Sequence, residues 1–359
     1  TLAALTAFVE AAQIPVMTTA NGKGVFPEDH PLSLRAFGLA DCMWPYGWIG
    51  NAAGVGGKHD LLLVIGSALG EMATDKWKSN LLPNGPVIQV DADPRMIGRD
   101  YATGLSIAGE AGDFIRRLAQ AVPPGNWDPA KVAARSAAVT EVKTVSPFAE
   151  PKDYLSTTAP IKPAAVCRVL QEGLKGIPSA VFLDAGNCVG WGLHYLVAGA
   201  DMEVHPSLDM GPMGFAVAAV VGARLARPDK VCVALTGDGA FMMQGAEIST
   251  ASHNGVGAIW VVLQDNDLAM VSQGMEMVTK NPPSTAPVER SAWATMFSLG
   301  TPDLVQFAAG LGADACSVTS PAEMAAALTD ALKGALLGRP QVIVAQIDRS
   351  AEPPYYIKH

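Results

Sequence analysis

Charge is scarce in this chain: only 16% of its 359 residues are Asp, Glu, Lys or Arg, while 49% are apolar. That balance supplies material for large buried cores and argues against a disordered polyelectrolyte. The charge present is acidic on balance, net −9, and no run of Lys or Arg is interleaved with aromatics, so nucleic acid is not an expected partner. Apolar stretches of membrane-spanning length are missing too. The longest candidate, after Phe215, is broken by Arg224 and Arg227, and no secretory leader is legible. Cysteine is sparse and scattered: Cys42, Cys167, Cys188, Cys232 and Cys316 form no CxxC pair, and their odd number points to reduced thiols in a cytoplasmic protein. A GxGxxG loop after a strand, with an acid about twenty residues on, is absent, which argues against a nicotinamide dehydrogenase. Internal repeats are lacking. There is no initiator Met; Thr1 opens on what reads as the end of an amphipathic helix, and an upstream portion is expected to precede it.

What the chain does have is concentrated between Val231 and Val271. The apolar run Val231 to Leu235 has the character of a parallel strand buried on both faces. It ends in Thr236-Gly237-Asp238-Gly239-Ala240, two glycines around one carboxylate. A helical segment from Phe241 to His253 stops at Asn254-Gly255, and a second apolar run, Ala258 to Leu263, closes in Gln264-Asp265-Asn266-Asp267. A right-handed crossover brings both strand ends to one edge of the sheet, where ligands of open α/β sheets bind. Oxygen ligands there suit Mg²⁺, while a helix N-terminus and glycine-exposed amides suit phosphate. The spacing alone describes a metal-diphosphate site.

These residues resemble the thiamine-diphosphate signature: Gly237-Asp238-Gly239, then a polar cluster whose Asp265 stands 27 residues after Asp238. Leu268-Ala269-Met270-Val271 is similar to the acetohydroxyacid synthase branch of that family. So is Asn21-Gly22-Lys23-Gly24-Val25-Phe26-Pro27-Glu28-Asp29-His30-Pro31, which resembles the central domain of these synthases and related decarboxylases up to about residue 120. The resemblance implies two doubly wound parallel-sheet α/β domains: a Rossmann-like central domain over 1–125, a Pro/Ala/Ser-rich linker over 126–160 round a short helix, and a diphosphate-binding domain over 161–359. It implies thiamine diphosphate and Mg²⁺ as cofactors, with Asp238, Asp265 and Asp267 at the metal, the last through its main-chain carbonyl. A one-residue slip in the alignment makes Asn266 the ligand in place of Asp265.

Further implied cofactor contacts are Gly186, Asn187, Gly211, Met213, Gly237, Gly239, Ala240, Ala269 and Met270. Asn187 and Cys188 stand where the family has Gln-His. Met213 matches the residue that props the cofactor in its bent form, and Gly211 the carbonyl that accepts from the aminopyrimidine. A reactive thiolate at Cys188 is weighed against a buried filler, and the filler reading is preferred. FAD, held in the central domain of some members, is doubtful because Ser67-Ala68-Leu69-Gly70 lacks the usual Arg. Gly54-Val55-Gly56-Gly57 reads as a turn rather than a nucleotide loop. Where these synthases place a Trp that contacts substrate, this chain has Gly274. The implied activity is decarboxylation of a 2-keto acid followed by carboligation to a carbonyl acceptor, in a homodimer or homotetramer, with the family's catalytic Glu in an upstream domain. The alternatives are oxalyl-CoA decarboxylase or aldehyde lyase chemistry on the same cofactor, or a non-catalytic nucleotide-binding module.

Overall fold

A computed structural model describes residues 2–50, 57–280 and 289–355. Thr1 and Gly54 to Gly56, considered above, lie outside them. Contacts divide the chain into two units, one running to Ala149 and taking back the chain from Pro354, the other Glu150–Pro353. The strands are β1 Val16–Thr19, β2 Ser33–Phe37, β3 Leu62–Ile65, β4 Val87–Asp91, β5 Leu105–Ala108, β6 Ser179–Leu183, β7 Met202–Pro206, β8 Val231–Gly237, β9 Ile259–Gln264, β10 Asp314–Val318 and β11 Gln341–Gln346.

In the first unit β1 pairs with β2, and β3, β4 and β5 form a separate sheet, every pairing parallel. Its core gathers Phe8, Val9, Phe26, Leu34, Phe37, Trp48, Ile49 and Val64. Val139 and Val142, from the helix Pro129–Val142, belong to the same core, and Arg135 Nε donates to the Ala12 carbonyl at 2.7 Å. The helix in the expected linker buries an apolar face on the first unit, and the contacts divide between Ala149 and Glu150.

The second unit is built on one six-stranded, all-parallel sheet in the order β10-β11-β9-β8-β6-β7. The central strands are continuous apolar runs because helices cover both faces; every residue of β6 and β9 is buried. Trp260, in β9, is completely buried, and its indole N–H reaches the Val217 carbonyl at 3.0 Å on the helix Phe215–Ala226. From β6 the chain passes to β7 on one side, then returns across the sheet to β8 on the other. The ends of β6 and β8 therefore flank a topological switch point. The single helix expected from Phe241 to His253 is two, Asp238–Gln244 and Glu247–His253. The Phe307 ring presses on the break: a Cβ at Gly245 would lie 2.4 Å from it. No described helix is long and apolar enough to cross a membrane.

Candidate functional site

The site is assembled from the C-terminal ends of β6, β8 and β9. β8 delivers Asp238 as the first residue of the helix Asp238–Gln244, and only 2% of it is exposed. Its Oδ1 accepts from the Gly239 amide at 2.8 Å, and its Oδ2 from the amides of Asp265 at 3.1 Å and Asn266 at 2.7 Å. The tips of β8 and β9 therefore meet. Of a carboxylate's roughly four lone-pair positions, three are taken and one remains for a metal. Burial raises the Asp238 carboxyl to about 6, against the pull of those amides. Burial, and then the neighbouring Asp238 charge, raise Asp265 to about 7. A divalent ion between the two carboxylates would hold both in their charged forms.

Asn266 has a left-handed backbone, φ 60°, and its side-chain oxygen accepts from Gln264 Nε2 at 2.9 Å. Asp265 Oδ1 accepts from the Asp267 amide at 3.1 Å. The Asp267 carboxylate is engaged elsewhere: Oδ2 takes the Ser272 hydroxyl at 2.6 Å and Arg349 Nη2 at 2.7 Å. Its Oδ1 is buried without a hydrogen-bond partner. Among the described residues no three His, Cys, Asp or Glu side chains gather as a metal cluster.

Around this clamp the glycines leave space. A Cβ at Gly186 (φ 104°) or Gly237 would meet no atom within 4 Å, so the ends of β6 and β8 are open where a diphosphate needs room. Gly186 caps the helix Asn187–Tyr195, and Asn187 Nδ2 donates to Gln273 Oε1 at 2.8 Å. A Cβ on Gly239 would lie 3.2 Å from Met213 Cε and 2.7 Å from Leu268 Cδ2, which puts the Met213 tip above the acidic turn. Gly211 (φ 60°) is exposed, Ala240 is buried in the first turn of its helix, Ala269 is nearly buried, and Met270 is 43% exposed. The residues present thus fit a metal-held diphosphate. Cys188 is buried, its thiol donates to the Asp184 carbonyl at 3.0 Å, and burial pushes it far above the thiolate range, so the filler reading holds.

Asp184 was not legible as a site residue. It ends β6 fully buried; Oδ1 accepts from the amides of Ala185 and Gly214, both at 2.8 Å, and Oδ2 from the Ala216 amide at 3.2 Å and the Thr236 hydroxyl at 3.1 Å. It caps the helix Phe215–Ala226 from another strand and ties β6, β8 and the Met213 loop together. Arg349 and Gln273 were missed as well. The only sequence signal was that Asp184 closes an apolar strand, as Asp238 nearly does. A cleft of about 320 Å³ opens at the ends of β9 and β11, lined by Gln264, Asn266, Asp303, Ser317 and Gln346; it shares Asn266 with the clamp.

A parallel sheet with a carboxylate clamp, open glycines and a helix N-terminus at its switch point defines an α/β diphosphate-binding domain. Residues 184–345 match the C-terminal TPP binding domain of the thiamine pyrophosphate enzymes, and residues 1–118 match their central domain. The chain belongs to that family. It is 30% identical over 333 residues to a putative acetolactate synthase large subunit, IlvB2, of Mycobacterium tuberculosis, covering 91% of this chain and 54% of that protein. A probable acetolactate synthase large subunit of Methanocaldococcus jannaschii is 28% identical over 96% of this chain and 55% of its own length. A probable 2-ketoarginine decarboxylase, AruI, of Pseudomonas aeruginosa is 29% identical over 74% and 44%. The chain spans about half the length of the curated relatives it matches.

Proposed function

We propose that the chain acts in acetolactate synthase-like chemistry, decarboxylating a 2-keto acid and joining the remaining fragment to a carbonyl acceptor. The observation that carries this reading is the meeting of Asp238 with the amides of Asp265 and Asn266, beside the opening left by Gly186 and Gly237. Bound thiamine diphosphate supplies a nucleophilic carbon and an electron sink for the leaving carboxylate. The chain's own residues bind and orient. Mg²⁺ would be held by Asp238 Oδ1, the Asp265 carboxylate and the Asp267 main-chain carbonyl, and would neutralise charge on the diphosphate. Asp265 is preferred to Asn266 because its carboxylate brings negative charge to the cation, whereas the Asn266 amide is neutral. Asn187, with Ala240 and the other first-turn groups, would bind the diphosphate, and Gly211, Met213, Ala269 and Met270 would line the cofactor body. Met213 serves as the wedge, its bulk and polarizability suited to a ring surface.

A homodimer or homotetramer is part of the proposal, since the family completes its site between subunits. Simple decarboxylation is the second reading, favoured by Gly274, where the synthases carry a substrate-contacting Trp. Calorimetric titration of the full chain with thiamine diphosphate, with Mg²⁺ and with a chelator, tests the assignment. Binding should require Mg²⁺ and vanish in Asp238→Ala. Equal affinity in that variant would overturn the site.

A further inference from the structure

We propose that Arg349 and Gln273 are positioning residues of the diphosphate site, latching the segment after β11 onto it. The inference rests on the thiamine-diphosphate reading and extends it to residues outside the signature.

The argument starts from Asp267. Its side chain is only 1% exposed, one oxygen carries both the Ser272 hydroxyl and Arg349, and the other, Oδ1, has no hydrogen-bond partner. A carboxylate held so deeply needs a cation, and Arg349 is the one bonded to it among the described residues. Arg349 reaches it from the chain leaving β11, a segment anchored at Asp348 by Lys162 at 2.7 Å. Two residues further on, the Ala351 carbonyl accepts from Gln273 Nε2 at 3.0 Å. The other end of Gln273 accepts from Asn187 Nδ2. One amide thus joins the N-terminus of the helix Asn187–Tyr195, the helix Ala269–Lys280 and the β11 exit.

Two consequences follow for an anionic ligand. Gln273 fixes which end of the Asn187 amide faces which way, leaving the second Nδ2 hydrogen to be donated elsewhere. Arg349 cancels the Asp267 charge, so the clamp presents Asp238 and Asp265 to Mg²⁺ without a third acid repelling the diphosphate. It also fixes the Asp267 main chain, whose carbonyl the metal would use.

The test uses the full chain and the variants Arg349→Ala, Arg349→Lys and Gln273→Glu. Hydrogen exchange of residues 348–352 and 269–273 is followed without ligand, and thiamine diphosphate affinity is measured by calorimetry at saturating Mg²⁺. Arg349→Ala should speed exchange of 348–352 by about tenfold and weaken the cofactor by about tenfold, as loss of one partner of a half-buried pair predicts. Arg349→Lys keeps the charge and should recover most of the affinity. Gln273→Glu still accepts from Asn187 but cannot donate to Ala351, so it should loosen the segment and weaken the cofactor by a smaller factor. Unchanged exchange in Arg349→Ala would remove the latch. Faster exchange with wild-type affinity would reduce Arg349 to a tail anchor and overturn the positioning role. A wild-type chain that binds no thiamine diphosphate defeats the functional reading instead, and the exchange data then decide the latch alone.

Discussion

Replacing Asp265 by Asn should make the second unit more stable at pH 8 and less responsive to magnesium, because the amide keeps an oxygen ligand but loses its charge. Asp265 titrates at about 7 when folded, against an ordinary 3.8. An acid whose folded pKa lies above its unfolded value holds its proton more tightly when folded. Stability therefore falls as pH climbs from about 4 to about 7, and the loss is complete above that. A shift of about three units is worth about 4 kcal/mol in full, and about 2 kcal/mol once solvent screening of its partly exposed side chain is allowed for. Asp238, raised to about 6, adds a loss of the same sign. Hydrogen exchange of the β8 and β9 amides between pH 5 and 8.5, corrected for intrinsic exchange rates, isolates this unit from the first, where burial raises Asp41 to about 8. In chelator, wild-type opening free energies should fall through this range; the variant should lose the Asp265 share and gain about 2 kcal/mol at pH 8. Magnesium at about a hundred times its dissociation constant for wild type should return about 2.7 kcal/mol to wild type and less to Asp265→Asn, whose neutral amide oxygen binds the cation more weakly. A variant whose pH slope matches wild type, or that gains equally from Mg²⁺, refutes the acidic clamp.

Asp184→Ala strands four donors at the end of β6 and should cost several kcal/mol, on the order of 3–5, in denaturant unfolding of the second unit. Gly214→Ala forces a Cβ to within 2.2 Å of Gln244 Cγ at φ 93°; a loss of about 2 kcal/mol or more is expected, with weakened cofactor binding because the Met213 loop must shift. Met213→Ala should leave the unfolding midpoint nearly unchanged, since this side chain is only partly buried, yet reduce cofactor affinity or turnover; wild-type behaviour in both would rule out the wedge. Trp260→Phe removes the bond to the Val217 carbonyl and should cost about 1–3 kcal/mol by calorimetry.

The strands that position the site were legible because burial on both faces leaves no polar alternation to confuse the reading: β6, β8, β9 and β11 all appear as apolar runs in the sequence. The edge strands were not. β10 is largely exposed and spells Asp-Ala-Cys-Ser-Val, and β7 carries Glu203 and His205 outward, so neither has the signature of a core strand. The break after Gln244 was hidden too. It depends on the Phe307 ring meeting Gly245, a contact between residues far apart in the chain.

The same distinction runs through the site. The convergence of Asp238 with the Asp265–Asn266 turn could be read because it follows from two strand ends and a crossover, all local properties. Asp184, Gln273 and Arg349 act through partners 30 to 86 residues away, such as Gly214, Asn187 and Asp267, and no local pattern encodes such pairings. Asp267 shows why the difference matters. In the sequence it is a third acid beside two others; in the fold its carboxylate is paired with Arg349 and bonded by Ser272. Counting carboxylates in a motif therefore overstates the charge a metal meets, and the correction comes from the buried ion pair that the motif does not contain.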